Sequence, residues 1–407
     1  MLALVFIATA INYVDRETLS IVIPVLMTQF HMTAGAYSRV IFAFMSAYTI
    51  MNAASGPLID WLGTRIGYAL TTAWWSVAVV LQALSSGVLS LEIYQFLLGM
   101  GEAGNWPAGV KVVAEWFPAE ERALASGIFN SGSTVGAIIA PPLIVWIVIR
   151  EGWRGAFANI GFAGLVWVIL WLTIYRTPEV GNAEAREASI PIGNLLRTRF
   201  VWSFAAAKVF LDPVWYFYIF WFPEYLKRVR NFDLTSIGKY AWIPFALAGA
   251  GNILGGWFSG ALLRRGVSLS VARKVAVSVF ALLMTFSIPA VLVPRGGMAI
   301  ALVSLGMMGY TGVTANMLAF PADVFPKNVV ASIWGFAGTG SGFGGMVFAL
   351  ATGWLVDRYS FVPVFIGFGI IPILALLLIW FVLGPLQPAL PICNAVLGAA
   401  HEPPPSP

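Results

Sequence analysis

The segment Gln95–Pro118, QFLLGMGEAGNWPAGVKVVAEWFP, decides how this chain folds. It sets one carboxylate, Glu102, inside an apolar run containing Gly99, Gly101, Gly104 and Gly109. Small residues at such spacing let membrane helices approach closely. A single acid in hydrocarbon is costly and marks a functional position. The run ends in A-E-x-F-P at Ala114–Pro118, and the signature returns as A-D-x-F-P at Ala322–Pro326, half a chain later. Each copy leads into Ala-Ser and a glycine-rich apolar helix: Ala125, Ser126, Gly132 and Gly136, then Ala331, Ser332, Gly338 and Gly342. The repeat describes a chain made of two related halves.

Composition gives the environment. Hydrophobic residues make up 59% of the 407 positions and charged residues 10%, where soluble domains carry about 45–50% and about 25%. So little charge cannot solvate a soluble surface of this size, and the chain reads as an all-α, multi-pass membrane protein. At about 20 residues per span its length holds about twelve transmembrane helices with short loops. Nothing alternates in short segments as a membrane β-barrel does. The net charge of +5 is diffuse and suits loops facing anionic lipid, not nucleic acid. The single Cys393 excludes an intramolecular disulfide and a cysteine-based metal cluster, and no cofactor is expected. The N-terminus opens on apolar sequence without a basic lead and reads as a first span, not a cleaved signal.

Hydropathy places spans at roughly 2–27, 37–59, 68–84, 91–114, 122–148, 157–175, 200–226, 237–263, 273–293, 298–321, 331–356 and 361–384. The expected domains are 1–175, a polar linker over 176–199, and 200–385, followed by a Pro-rich disordered tail over 386–407. Positive charge at Arg264-Arg265 and Arg273-Lys274 places that loop and the linker in the cytoplasm. Arg150, Arg154, Lys227, Arg228 and Arg230 lie on the opposite side, so the even span count carries the assignment of both termini to the cytoplasm.

Several groups of intramembrane polar and aromatic residues are candidates for chemistry. Asp15 and Arg16 fall mid-span in the first helix, about 100° apart, so neither fully serves the other. Arg16 offers a planar fork suited to gripping a carboxylate; the alternative is an ion pair that only neutralises itself. Glu102 and Asp15 are placed to load and release protons, because scarce water favours the neutral form of a carboxylate. The alternative for Glu102 is a fixed hydrogen bond to Asn105 or a neighbouring helix. Lys208 and Asp212, four apart in the seventh span, read as either an internal pair or a coupling and gating element. Trp215, Tyr216 and Tyr218 read as an aromatic membrane belt or as rings that stack on a sugar. Tyr13, Tyr48, Asn130, Ser131, Ser133 and Asn316 are candidates for hydroxyl recognition, or else interhelical glue.

N-Y-V-D-R at Asn12–Arg16, G-x-x-x-D-x-x-G-x-R at Gly56–Arg65 and G-M-G-E-A-G-N-W-P-A at Gly99–Ala108 resemble the major facilitator superfamily. More narrowly they resemble its anion:cation symporter branch, and within that the bacterial hexuronate transporters. A-E-W-F-P with E-R-A-L-A-S-G-I-F-N-S-G, and K-V-F-L-D-P-V-W at Lys208–Trp215, extend the match along the chain. The resemblance implies two pseudo-symmetric six-helix bundles around a central cavity, alternating access, and proton-coupled uptake of sugar acids such as galacturonate or glucuronate. It puts the carboxylate-binding Arg on Arg16, the protonatable acids on Asp15 and Glu102, and the cytoplasmic gating motif on Gly56, Asp60, Gly63 and Arg65. It further implies a monomer in the cell inner membrane whose partners are a small organic anion, protons and lipid.

The chain departs from the family at Gln95, where an Arg usually stands two helical turns before the span-four Glu. It departs again at Trp61, where a basic residue commonly follows the motif Asp, and at Tyr310-Thr311, where His-Gln is frequent. An uncoupled uniporter or anion exchanger is therefore the second reading. An intramembrane enzyme is a third, and it lacks parts. His31 and His401 fall in a loop and the tail, and no H-E-x-x-H or G-x-S-x-G occurs.

Overall fold

The computed structural model describes residues 1–117, 119–176, 198–325 and 327–386. The linker expected over 176–199 and the tail expected over 386–407 thus lie almost wholly outside the described residues, as does the side chain of Asp60. Among the described residues every regular element is helical. In the first half these are α1 (Leu2–Gln29), α2 (Ala34–Leu62), α3 (Thr64–Gln82), α4 (Val88–Glu102), α5 (Asn105–Trp116) and α6 (Ala119–Ile174). In the second half they are α7 (Arg199–Arg230), α8 (Leu234–Tyr240), α9 (Ile243–Arg264), α10 (Leu269–Met284), α11 (Ser287–Leu292), α12 (Gly296–Met317), α13 (Phe320–Val324), α14 (Lys327–Arg358) and α15 (Phe361–Leu377), the last ending in a wide π-turn over Leu378–Val382.

These elements make the twelve passes that the hydropathy predicts. Six described segments are long and apolar enough to cross a membrane unaided, the longest being Ile128–Ile174. That segment is two passes. At Gly152 the backbone turns to φ +75°, a conformation that glycine adopts freely, and α6 folds over there. The fourth pass, expected as one helix, is broken at Ala103-Gly104 into α4 and α5, so Glu102 is the last residue before the break. The polar cap at the start of α2 is Thr33, whose hydroxyl accepts the Ala36 N–H at 3.1 Å.

Close approach is what the glycines in the opening segment supply. A side chain at Gly99 would run into the Phe44 carbonyl of α2, and one at Gly101 would meet the Trp75 backbone of α3 at 2.7 Å. Within the first half α1 packs on α6, α2 on α4, and α3 on both α4 and α6. In the second half α9 and α10 pack on α12, and α7 on α14 and α15. Across the middle, α2 meets α14, α1 meets α7, and α6 meets α8 and α9.

Hydrogen bonds joining the two halves gather at the end where α1 turns into α2. The Asp357 carboxylate at the end of α14 accepts the Ala34 N–H at 2.7 Å and the Gly35 N–H at 2.5 Å. Tyr37 donates to the Phe220 carbonyl at 2.5 Å, and Lys227 donates to the Pro24 carbonyl. Toward the opposite end Gly56 and Gly338 face open space and Trp61 is 81% exposed. Among the described residues, the hydrogen bonds between the halves close the first end. Hydrogen bonds to a charged group are worth about 1.5–3 kcal/mol, so Asp357→Ala is expected to loosen the closed end about tenfold. The readout is maleimide labelling of a cysteine placed at buried Ser38 in a Cys393→Ser background; an unchanged rate would deny Asp357 the closing role.

Candidate functional site

Arg16 is the centre of the site. It lies mid-helix in α1, 4% exposed, and both Nε (3.0 Å) and Nη2 (2.7 Å) donate to Oε2 of Glu102, which is 0% exposed. Both nitrogens land on one oxygen. The other, Oε1, is buried without a hydrogen-bond partner. Around the guanidinium stand three rings of the first half: Tyr13 and Phe44, each 5.3 Å from its carbon, and Tyr48 at 5.0 Å. Such faces attract a cation without bonding it, so Arg16 is held by one carboxylate and a ring of π-electron density.

The second half reaches this site through α7. Phe44 packs edge-on against Phe220 at 5.9 Å, and Phe220 stacks with Tyr216 at 6.5 Å. The Tyr216 hydroxyl lies 3.3 Å from Ser341 of α14. Earlier on α7, Asp212 one turn and Lys208 two turns before Tyr216 pair at 2.7 Å, and Lys208 sits 4.8 Å over the Trp334 ring. Asp212 also accepts from the Tyr310 hydroxyl at 3.0 Å, while Trp215 stacks on the Tyr310 ring at 5.3 Å. Tyr310 occupies in the second repeat the place that Glu102 holds in the first, measured from the two A-x-x-F-P copies. Each half therefore ties its first helix to its fourth through a buried polar contact.

Asp15 points elsewhere. It is 1% exposed and faces the Trp75 indole, and among the described residues neither its oxygens nor that N–H finds a hydrogen-bond partner. Asn105 does not hold Glu102: it accepts from Tyr68 at 2.7 Å and donates to Thr9 at 3.2 Å, tying α5 to α3 and α1. Gln95 donates to Gln82 at 2.8 Å, so a neutral amide pair fills the place of the family's second Arg.

The remaining sequence candidates scatter. Tyr218 is 1% exposed, packed against Phe217 and Phe365 in the second half's own core. Asn316 donates to the Gly255 and Gly312 carbonyls at 2.9 and 3.0 Å, which is the glue role. Ser131 and Ser133 turn their hydroxyls back onto α6, donating to the Ile128 and Asn130 carbonyls at 2.7 and 2.6 Å. Gly63 separates α2 from α3 at φ +76°, and Arg65 donates to the Leu172 carbonyl at 2.7 Å, a bond inside the first half.

Two groups escaped the sequence reading. Glu115, the acid of A-E-x-F-P, accepts from Thr64 at 2.6 Å and Tyr175 at 2.5 Å, and its counterpart Asp323 accepts from Arg273 at 3.0 Å. The repeat itself was the signal. Glu17, the third member of the D-R-E run, is 2% exposed with Oε1 lacking a partner. Three consecutive charges inside one apolar span were the clue to it.

The molecule is a helical bundle of two like halves with a buried Arg–Glu pair in the first, a frame that membrane transporters use. The sequence matches the family model described as Major Facilitator Superfamily over residues 5–348, and the chain belongs to that superfamily. It is 34% identical over 402 residues to a hexuronate transporter of Escherichia coli (strain K12), covering 94% of this chain and 93% of the relative. It is 35% identical over 303 residues to a galacturonate transporter of Dickeya chrysanthemi, covering 70% of this chain and 88% of the relative. Among solved structures, a D-xylose-proton symporter superposes with a TM-score of 0.74 at 13% identity, over 95% of this chain and 98% of that one. A bacterial homolog of the human lysosomal transporter Spinster, inward-facing and occupied, gives 0.73 at 16% identity over 98% and 96%. These two likenesses concern the fold. Like the family, the chain is a transporter and not an enzyme.

Proposed function

We propose that this chain is a proton-coupled symporter of sugar acids, hexuronates foremost, working by alternating access in the cell inner membrane. The observation that carries the reading is the Arg16–Glu102 pair. Arg16 has a fork fit for a carboxylate and spends it on one oxygen of Glu102. An incoming uronate carboxylate offers two oxygens to the same fork. Once it takes Arg16, Glu102 is left as a buried carboxylate without a counter-charge, which is expensive unless it takes up a proton. Substrate and proton thus load together. Tyr13, Tyr48 and Tyr216 supply ring faces and hydroxyls for the sugar, and Lys208 with Asp212 adjusts the second half as the site closes.

The domains that rock are residues 1–175 and 200–385. With both termini in the cytoplasm, the end held by Asp357 is the outer one. The hexuronate and galacturonate transporters named above support the substrate class. The Gln95–Gln82 pair favours one other reading, an uncoupled uniporter, because it removes a cation that would help Glu102 ionise. The test of the substrate class is thermal denaturation of the detergent-purified protein with uronates, aldonates, aldarates and monocarboxylates. A ligand at 100 times its Kd stabilises by about 2.7 kcal/mol, so galacturonate or glucuronate is expected to raise the melting temperature by several degrees. A shift with simple monocarboxylates alone would overturn the sugar-acid assignment.

A further inference from the structure

Asp15, Arg16, Glu17 and Glu102 occupy one short stretch of the first half's interior, and none is more than 4% exposed. Fully ionised they would leave three carboxylates against one guanidinium. Arg16 gives both bonded nitrogens to Glu102, and among the described residues no ion pair reaches Asp15 or Glu17. Buried carboxylates in that position take up a proton instead of keeping the charge. The mechanism above uses Glu102 and, through the family, Asp15. Glu17 is unused.

Its place on α1 gives it a job. Gly132 and Gly136 of α6 press on α1 at Phe6, Thr9, Ala10 and Tyr13. Seven and eleven residues beyond Glu17, the Pro24 carbonyl and the Thr28 hydroxyl receive Lys227 of α7. At 100° per residue those offsets fall within about 20° of Glu17's own direction. Glu17 therefore stands where α1 changes neighbours, from α6 of its own half to α7 of the other. That is the line along which the halves part when access alternates. The ionisable groups along it are few. Arg16 is adjacent on α1, and α7 brings Glu224, Lys227 and Arg228 at its far end, where Glu224 lies among the two cations. The stretch 128–149 of α6 contributes none.

We propose that Glu17 is a third proton carrier, so that three protons, one each on Asp15, Glu17 and Glu102, cross with every monocarboxylate. The balance is simple: three protons and one anion enter, and two net positive charges move with each cycle. Glu17 loads while the line between α1 and α7 is open on one side and unloads when it opens on the other. The proposal rests on the symport reading.

The experiment uses proteoliposomes with galacturonate, the membrane potential clamped by potassium and valinomycin, and a pH gradient equivalent to about 59 mV. At that gradient each coupled proton multiplies the substrate ratio at zero net flux about tenfold. The wild type is expected at about a thousandfold and Glu17→Gln about tenfold lower, with Glu17→Asp returning to the wild-type value. A wild type at a hundredfold or below, or a Glu17→Gln ratio equal to wild type, overturns the third carrier while leaving symport intact. If Glu17→Gln does not assemble, the wild-type ratio alone decides. A wild type with no coupling at all overturns both readings together.

Discussion

Arg16→Ala is expected to abolish measurable binding of sugar acids to the purified protein. Removing one partner of a buried charged pair costs about 2–5 kcal/mol, which is about thirtyfold to several thousandfold in affinity. Part of that cost is not the substrate's. Without Arg16, Glu102 is a buried carboxylate with no cation, and its neighbours Tyr13, Phe44 and Tyr48 close around empty space. The single variant therefore threatens the fold as well as the site. Arg16→Ala combined with Glu102→Gln removes both charges, and it is expected to fold while still failing to bind. Arg16→Lys keeps a charge but replaces the planar fork with a point donor, so it should bind weakly and show reduced preference for a carboxylate over an amide analogue. Isothermal titration with galacturonate or glucuronate reads all three. Unchanged affinity in the double variant would remove Arg16 as the anchor.

Much of this was legible in the sequence because membrane folds write themselves in hydropathy and small residues. The twelve passes followed from apolar runs, and Gly99 and Gly101 announced close helix contacts, whose partners, α2 and α3, only the structure gives. The repeat of A-x-x-F-P showed two halves but not that Glu115 and Asp323 clasp the neighbouring helices, since a spacing names no partner. Arg16 and Glu102 could each be singled out as costly, yet their direct bond needed geometry. They are 86 positions apart, and nothing local links them. Side-chain roles on amphipathic residues were the least legible part. Tyr218 and Tyr216 are two positions apart on α7, so they point to different surroundings, one into the second half's core and one, through Phe220, toward the aromatic residues around Arg16. Asn316 looked like a recognition residue because its partners are carbonyls, which every residue carries and no sequence pattern distinguishes.

Glu102→Gln is expected to uncouple transport without stopping it. Glutamine has the shape of a protonated glutamic acid and cannot ionise, so it fixes the site in the form that substrate binding demands. Its amide oxygen still accepts from the Arg16 fork, though without the charge that makes the present pair short and strong. Substrate then displaces a weaker competitor. Binding should be kept or tightened, and exchange of labelled for unlabelled uronate across a vesicle membrane should continue at a rate comparable to wild type. Gradient-driven accumulation should collapse to a ratio near one, because Glu102 is the carboxylate that substrate displaces from Arg16, and with it permanently neutral any other carboxyl on α1 loads and loses its proton whether or not substrate is bound. The comparison with an uncoupler is built in. Wild-type accumulation that persists when the proton gradient is dissipated would favour the uniporter suggested by Gln95 and Gln82, whereas sensitivity to the uncoupler in the wild type and indifference to it in Glu102→Gln assign coupling to this carboxylate. Equal accumulation by variant and wild type would show that the proton crosses elsewhere.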